Sequence, residues 1–229
     1  MAGSSQSLDP LVVAVEGLSY AGKTTLVHAL AQPVGGVAVA EYAEMGPLPP
    51  FPPRDHHAVI AALAHFLRAE CDRTAAGRRA GHPVVLLDRS PLTLITYEFG
   101  VATLGVPAAP SYAAELYSQA AELGEVFTPD AYIYLRVSDE VTARRAAVRG
   151  PIAAHLSAPS VRAGIERAAA AYLAALPVGR RLELDGSRPL AELLGEAEAF
   201  VAALSSQTAP VASWRVLADI HDAGQAHRG

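Results

Sequence analysis

The sequence predicts a three-layer α/β fold, with a parallel sheet of about five strands and helices on both of its faces. Three observations carry that reading. Short aliphatic runs alternate with longer helix-patterned stretches, the order that builds parallel sheets. A glycine-rich turn joins the first apolar run to the first helix, where open parallel sheets gather their ligand loops. The 229 residues, 51% of them hydrophobic, suffice to bury one core of this kind.

The elements follow in order. Leu11-Val12-Val13-Ala14-Val15 is a continuous apolar run stopped by Glu16-Gly17, the pattern of a strand buried on both faces. A helix over 24–31 comes next, then a second strand over 37–40. Pro47 to Pro53 is too proline-rich for a helix or an interior strand, so it bridges to a long helix over 56–79 capped by Asp55. The third strand is 84–87. After a break at Val106 to Pro110 comes a helix over 111–125, then a fourth strand over 132–137. Ser138 or Asp139 caps the next helix, 140–149, and another covers 160–176. A short fifth strand, 181–185, leads to a closing helix over 190–204, and the crossovers should be right-handed. Residues 205–213 form a polar linker to a terminal helical segment, 214–223, which Trp214 anchors. The expected organisation is one domain over 1–229, with its core at about 11–204 and its linker and terminal segment at 205–229.

Composition narrows the function. Eighteen basic against 23 acidic residues, a net charge of −5, argue against nucleic acid or an anionic membrane surface as the main partner. No segment approaches the roughly 18 apolar residues a membrane span needs. The single cysteine, Cys71, cannot pair internally, and the first ten residues lack the pattern of a secretory signal. A cytoplasmic protein is expected. His56 and His57 have no spacing that suggests zinc. The chain holds one lysine, Lys23, and no asparagine.

That lysine completes Gly17-Leu18-Ser19-Tyr20-Ala21-Gly22-Lys23-Thr24, the phosphate-binding P-loop, between a strand and a helix as its geometry requires. Its glycines let successive N–H groups turn inward as an anion nest at the positive end of a helix. Gly17, Ser19, Tyr20, Ala21, Gly22, Lys23, Thr24 and Thr25 are the expected ATP-binding residues. Lys23 reaches the β- and γ-phosphates, and Thr24 ligates Mg²⁺ together with Asp88. A guanine-reading Asn-Lys-x-Asp motif is ruled out, because there is no asparagine and the lysine is already committed. The third strand ends in Asp88-Arg89-Ser90, a carboxylate near the metal or nucleophile beside a cation for anionic oxygens. Glu41, and less so Glu44, follow the second strand as acceptor-side carboxylates. Tyr97, Phe99 and Phe51 are candidates to line an acceptor pocket.

These motifs resemble the thymidylate kinase and deoxynucleoside kinase group of P-loop kinases over roughly residues 11 to 204. The residues that carry the resemblance are Glu16-Gly17 with the P-loop, Glu41, Asp72-Arg73, Asp88-Arg89-Ser90 followed by Tyr97, Tyr134 to Val137, Arg145-x-x-x-Arg149-Gly150 and Leu182 to Gly186. The resemblance implies the three-layer P-loop kinase fold with a short arginine-bearing lid. It implies Glu41 as general base, Arg73 as a substrate-holding residue, Arg89 beside the transferring phosphate, and Arg145 with Arg149 on the lid. Glu41 is followed by Tyr42 where the group has proline, and Arg73 stands closer to Asp88 than in thymidylate kinases, so the acceptor stays open. The expected activity is ATP-dependent phosphoryl transfer to a small molecule, a nucleoside-like hydroxyl or a nucleoside monophosphate, with Mg²⁺ as cofactor. Another hydroxylated metabolite or an antibiotic is an alternative acceptor, and a non-catalytic nucleotide-binding module is the alternative class. A homodimer is left open. Two carboxylates against one dedicated arginine tilt the balance toward a hydroxyl acceptor.

Overall fold

The computed structural model describes residues 9–42, 47–204 and 212–226. Glu44 and most of the 205–213 linker lie outside the described residues. Five strands form one parallel sheet: β1 (Leu11–Glu16), β2 (Gly36–Val39), β3 (Val84–Asp88), β4 (Ala131–Arg136) and β5 (Arg181–Asp185). Their order is β2-β3-β1-β4-β5. The chain leaves β1 toward one edge and later returns to the other, so the topological switch lies beside β1. In register, Val15 pairs Asp88 and Glu16 pairs Tyr134. All carboxyl ends therefore open on one edge, where parallel sheets of this kind bind ligands.

Alternation along the central strands makes two cores. Val13, Val15, Leu86, Ile133 and Leu135 face α1 (Lys23–Ala31) and α8 (Leu190–Leu204). Val12, Ala14, Val85, Leu87 and Tyr132 face the other side. There they meet α2 (His56–Ala80), α3 (Pro91–Val101), α4 (Pro110–Glu122), α7 (Pro159–Ala175) and α9 (Arg215–Ala226). Two further helices, α5 (Asp139–Arg149) and the one-turn α6 (Ala154–Ser157), stand over the carboxyl edge. Asp55 caps α2 as expected, accepting the Ala58 N–H at 2.8 Å, and Ser138 rather than Asp139 caps α5. Trp214 is buried, and its indole N–H donates to the Tyr132 hydroxyl at 3.1 Å, which anchors the terminal helix. Among the described residues no helix is long and apolar enough to cross a membrane.

The helix α3 is an addition to the sequence expectation. Eight of its 11 residues are buried, so it has no polar face to produce a helical period. Its start is nonetheless marked: Ser90 caps it, and Pro91 takes the first turn, where a missing N–H costs nothing. It crosses α7 at glycine contacts. A Cβ on Gly100 would lie 2.8 Å from the Val161 carbonyl, and one on Gly164 would lie 2.9 Å from the Gly100 Cα. This close approach packs α3 against α7 and fixes the side chains α3 presents to the site.

Candidate active site

The P-loop runs from the end of β1 into α1. Gly17, at φ +137°, passes so near β4 that a Cβ would lie 2.4 Å from the Leu135 carbonyl oxygen, so no side chain fits there. Lys23 is buried, and its ammonium donates to the Leu18 carbonyl at 2.8 Å, across the loop. Burial and the neighbouring Arg89 guanidinium lower its pKa to about 7, against the opposing pull of Asp88, Glu41 and Glu16. A compact cation held at a cost in a pocket of backbone N–H groups is prepared for an anion.

Thr24 and Asp88 meet as expected for a metal pair. The Thr24 hydroxyl donates to Asp88 Oδ2 at 2.5 Å, while Asp88 Oδ1 is buried with no hydrogen-bond partner among the described residues. An orphaned carboxylate oxygen beside a hydroxyl suits Mg²⁺ or its bound water. Among the described residues no group of three or more acidic, histidine or cysteine side chains could hold a metal. A cation here would share its coordination with phosphates and water, as Mg²⁺ commonly does.

Glu41 and Arg89 form the next layer. The Arg89 Nε–H donates to Glu41 Oε2 at 2.7 Å. Arg89 has φ +68°, a left-handed conformation uncommon for a side-chain-bearing residue, and strain of this kind gathers at functional sites. Burial works to raise the Glu41 pKa, but Arg89, with Lys23 and Arg73, outweighs it and holds the carboxyl below its ordinary value. Behind this pair, buried Glu16 accepts the Ser90 N–H at 2.8 Å and its hydroxyl at 2.6 Å, and the Thr93 hydroxyl at 2.5 Å. Burial raises the Glu16 pKa against these hydrogen bonds. Sequence reasoning saw Glu16 only as part of a motif. Its position at the last residue of β1, one residue before the P-loop, was the available signal.

Two arginines stand elsewhere than expected. Arg73 was read as a substrate-holding residue, but it is 2% exposed and its guanidinium turns away from the cavities. It donates to the carbonyls of Ala40, Asp88 and Arg89 at 2.8–2.9 Å and to Glu70 at 2.6 Å, and it lies 4.5 Å from the centre of the Tyr42 ring. It is a strut that ties the end of β2 to the end of β3. The shared cause is unpaired strand-end carbonyls, which require a donor when buried. Arg145, expected on the triphosphate, grips the P-loop from outside. It donates to the carbonyls of Tyr20 at 2.8 Å, Ala21 at 3.1 Å and Gly186 at 2.7 Å. A loop that turns its N–H groups inward leaves carbonyls outward, and Arg145 satisfies them. Arg149, one turn on, does line the phosphate cavity. The Tyr20 hydroxyl donates to the Gly150 carbonyl at 2.9 Å, fastening the end of α5 to the P-loop.

Two cavities result. The phosphate cavity, about 280 Å³, is lined by Ser19, Tyr20, Gly22, Lys23, Thr24 and Thr25, with Arg149 opposite. A larger one, about 390 Å³, lies among α2, α3, α7 and the proline loop. Tyr97 and Phe51 line it as expected, while Phe99 packs against the core instead. Tyr97 meets His155 of α6 at 3.3 Å, and Phe51 stacks on the same imidazole at 3.7 Å between ring centres. Six residues border both cavities: Ser19, Glu41, Arg89, Ile152, Ala153 and Leu156. The Glu41–Arg89 pair therefore stands where the two cavities join.

The fold is that of P-loop kinases: a five-stranded parallel sheet with helices on both faces and a glycine-rich loop after its central strand. The structure is similar to deoxyadenosine kinase from M. mycoides with bound dATP, at TM-score 0.64 and 15% identity, over 83% of this chain and 99% of that one. The same kinase with dCMP and a flexible dCDP gives TM-score 0.63 and 16% identity, over 84% and 99%. Thymidylate kinase from Candida albicans matches at TM-score 0.61 and 13% identity, over 89% and 97%. No protein-family model and no curated protein sequence matches the chain.

Proposed function

We propose that the protein transfers the γ-phosphoryl group of ATP to a hydroxyl of a small-molecule acceptor, of the nucleoside-like or otherwise hydroxylated kind. The observation that carries this reading is the Glu41–Arg89 pair at the junction of the phosphate cavity and the larger one. A hydroxyl entering from the larger cavity meets Glu41 before it meets the phosphate. Its oxygen attacks the γ-phosphorus, its proton passes to the Glu41 carboxylate, and the bond to the bridging oxygen breaks to leave ADP. Positioned acid–base catalysis of this type contributes typically about 10²–10⁴ in rate. Lys23 and Arg149 face the charge that builds on the phosphates. Thr24 and Asp88 are the residues that would hold Mg²⁺, which when bound neutralises charge on the β- and γ-oxygens.

A nucleoside monophosphate as acceptor would need cations in the larger cavity to offset repulsion between phosphates. Arg73, the dedicated candidate, is engaged elsewhere, and Arg162 is paired with Asp139 at 2.6 Å. A pure nucleotide-binding module would have no use for a carboxylate at the junction. The resemblance to deoxynucleoside kinases supports the kinase reading, and the chain is taken as a single catalytic domain of cytoplasmic setting. The test is ADP release from ATP in the presence of nucleosides, nucleoside monophosphates and hydroxylated natural products. Acceptor-dependent ADP release, lost in Lys23→Ala, is the expected result; ATP binding without release against every acceptor contradicts the proposal.

A further inference from the structure

The larger cavity is walled in the way an apolar molecule requires. Beyond the Glu41–Arg89 pair its sides are Val59, Leu63, Phe66, Leu92, Val101 and Ile165. Several of the polar side chains among them are engaged with the protein. Thr96 and Thr142 turn their hydroxyls to the carbonyls of Leu92 and Ser138 on their own helices. Glu98 accepts the Ala109 N–H at 2.8 Å, at the start of α4. Glu16 and Arg162 are held by the partners already described. Tyr134 adds a buried hydroxyl with no hydrogen-bond partner among the described residues, Tyr97 and His155 meet each other at 3.3 Å, and Ser19 stands where the two cavities join.

A nucleobase presents an edge of several donors and acceptors, and the side chains that pair two of them at once are chiefly asparagine, glutamine and arginine. The chain contains no asparagine. Its glutamines are Gln6, Gln32, Gln119, Gln207 and Gln225, and none lines the cavity among the described residues. Of the two arginines in the lining, Arg89 pairs with Glu41 through Nε at 2.7 Å and also borders the phosphate cavity, and Arg162 pairs with Asp139 through one Nη at 2.6 Å. Hydroxyls and an imidazole offer single-point contacts rather than the paired contacts a base edge takes, and unmatched polar atoms in an apolar pocket oppose binding.

We infer that the acceptor is an alcohol with an apolar, ring-sized body rather than a nucleoside read at its base. The inference rests on the phosphoryl-transfer reading above and narrows it. A cavity of about 390 Å³ is within the range of small-molecule sites, and apolar walls with few polar fixtures are their usual lining. Such a body gains affinity through the area it buries.

Two readouts test it on the full chain. The first is calorimetric binding, with the protein saturated by the non-transferable analogue β,γ-methylene-ATP and Mg²⁺. The probes are 3-phenylpropan-1-ol and 3-(naphthalen-2-yl)propan-1-ol, against thymidine, deoxycytidine and deoxyadenosine. The second is transfer of label from [γ-³²P]ATP to the same compounds. The expected result is affinity that rises roughly tenfold from the phenyl to the naphthyl alcohol, nucleosides binding at least about tenfold more weakly than the naphthyl alcohol, and label on the alcohols. A nucleoside that binds as tightly as the naphthyl alcohol overturns the inference and leaves phosphoryl transfer standing. Absence of binding by both alcohols also overturns it. Alcohols that bind as expected but take no label uphold the cavity's chemistry and overturn the transfer reading instead.

Discussion

The phosphate-loop cavity and the larger cavity beside it are built in opposite ways. The phosphate side is centred on one short stretch: Gly17 to Thr25 supply the loop, the cation and the hydroxyl, while Asp88, Arg149 and the residues shared with the larger cavity come from farther along the chain. The larger cavity is assembled from the proline loop, α2, α3, the segment through α6 and α7, and its walls are mostly apolar. An anion is recognised by charge and backbone dipoles that a short motif can encode. An apolar body is recognised by shape, which depends on how distant helices pack. The Glu41–Arg89 pair joins the halves, so substitutions on either side of it separate their contributions.

The largest effect falls on the donor side. Lys23→Ala should abolish transfer, by about 10²–10³ in turnover or more, because it removes a preorganised charge from the phosphates. Steady-state turnover of the folded variant checks this, and retention of most of the activity would break the assignment of that half.

At the junction, Glu41→Gln should lower turnover at least about a hundredfold with little change in ATP affinity, the magnitude expected of a general base. Single-turnover kinetics together with ATP binding separate the two. A nearly silent substitution would return the acceptor to a phosphate.

Behind the junction, Arg73→Ala should act on stability. It leaves Glu70 buried without its cation, and breaking a buried pair costs typically about 3–5 kcal/mol. For a chain of this length that lowers the melting temperature by on the order of 10 °C, while ATP binding persists in the folded fraction. An unchanged melting temperature with a steep rise in acceptor KM would restore Arg73 to the substrate.

The smallest effect is on pH dependence. Glu41 acts as a base in its ionised form, which exists above its pKa, and that pKa lies below the ordinary carboxylate value. Turnover at saturating substrates should therefore show no decline as pH falls from 8 to about 5, and should fall only below the normal glutamate range, near 4.3. A decline centred between pH 6 and 7 in the pH–turnover profile would contradict this.

The sheet and the phosphate side were legible because their signals are local. Each central strand is an unbroken apolar run, and the single lysine stands in a motif whose strand and helix neighbours are adjacent in sequence. The convergence of Glu41, Asp88 and Arg89 was legible because they stand at or just after strand ends, and parallel strands deliver their ends to one edge. The placement of Arg73 was not legible, because a helix position does not reveal that its guanidinium will meet three strand-end carbonyls. The contacts of Arg145 were not legible for a related reason, since outward P-loop carbonyls exist only in the folded loop. The helix α3 went unseen because burial on nearly every side erases the periodicity that marks a helix. With it went Thr93 and the hydrogen bonds that hold Glu16 in place.

The most direct test of the central claim is the ³¹P NMR spectrum of the product formed from ATP and the acceptor that supports the fastest ADP release. Transfer to a hydroxyl through Glu41 predicts one phosphomonoester resonance growing in step with ADP. A pair of coupled resonances from a new phosphoanhydride would show that the acceptor is itself a phosphate, and would contradict the account.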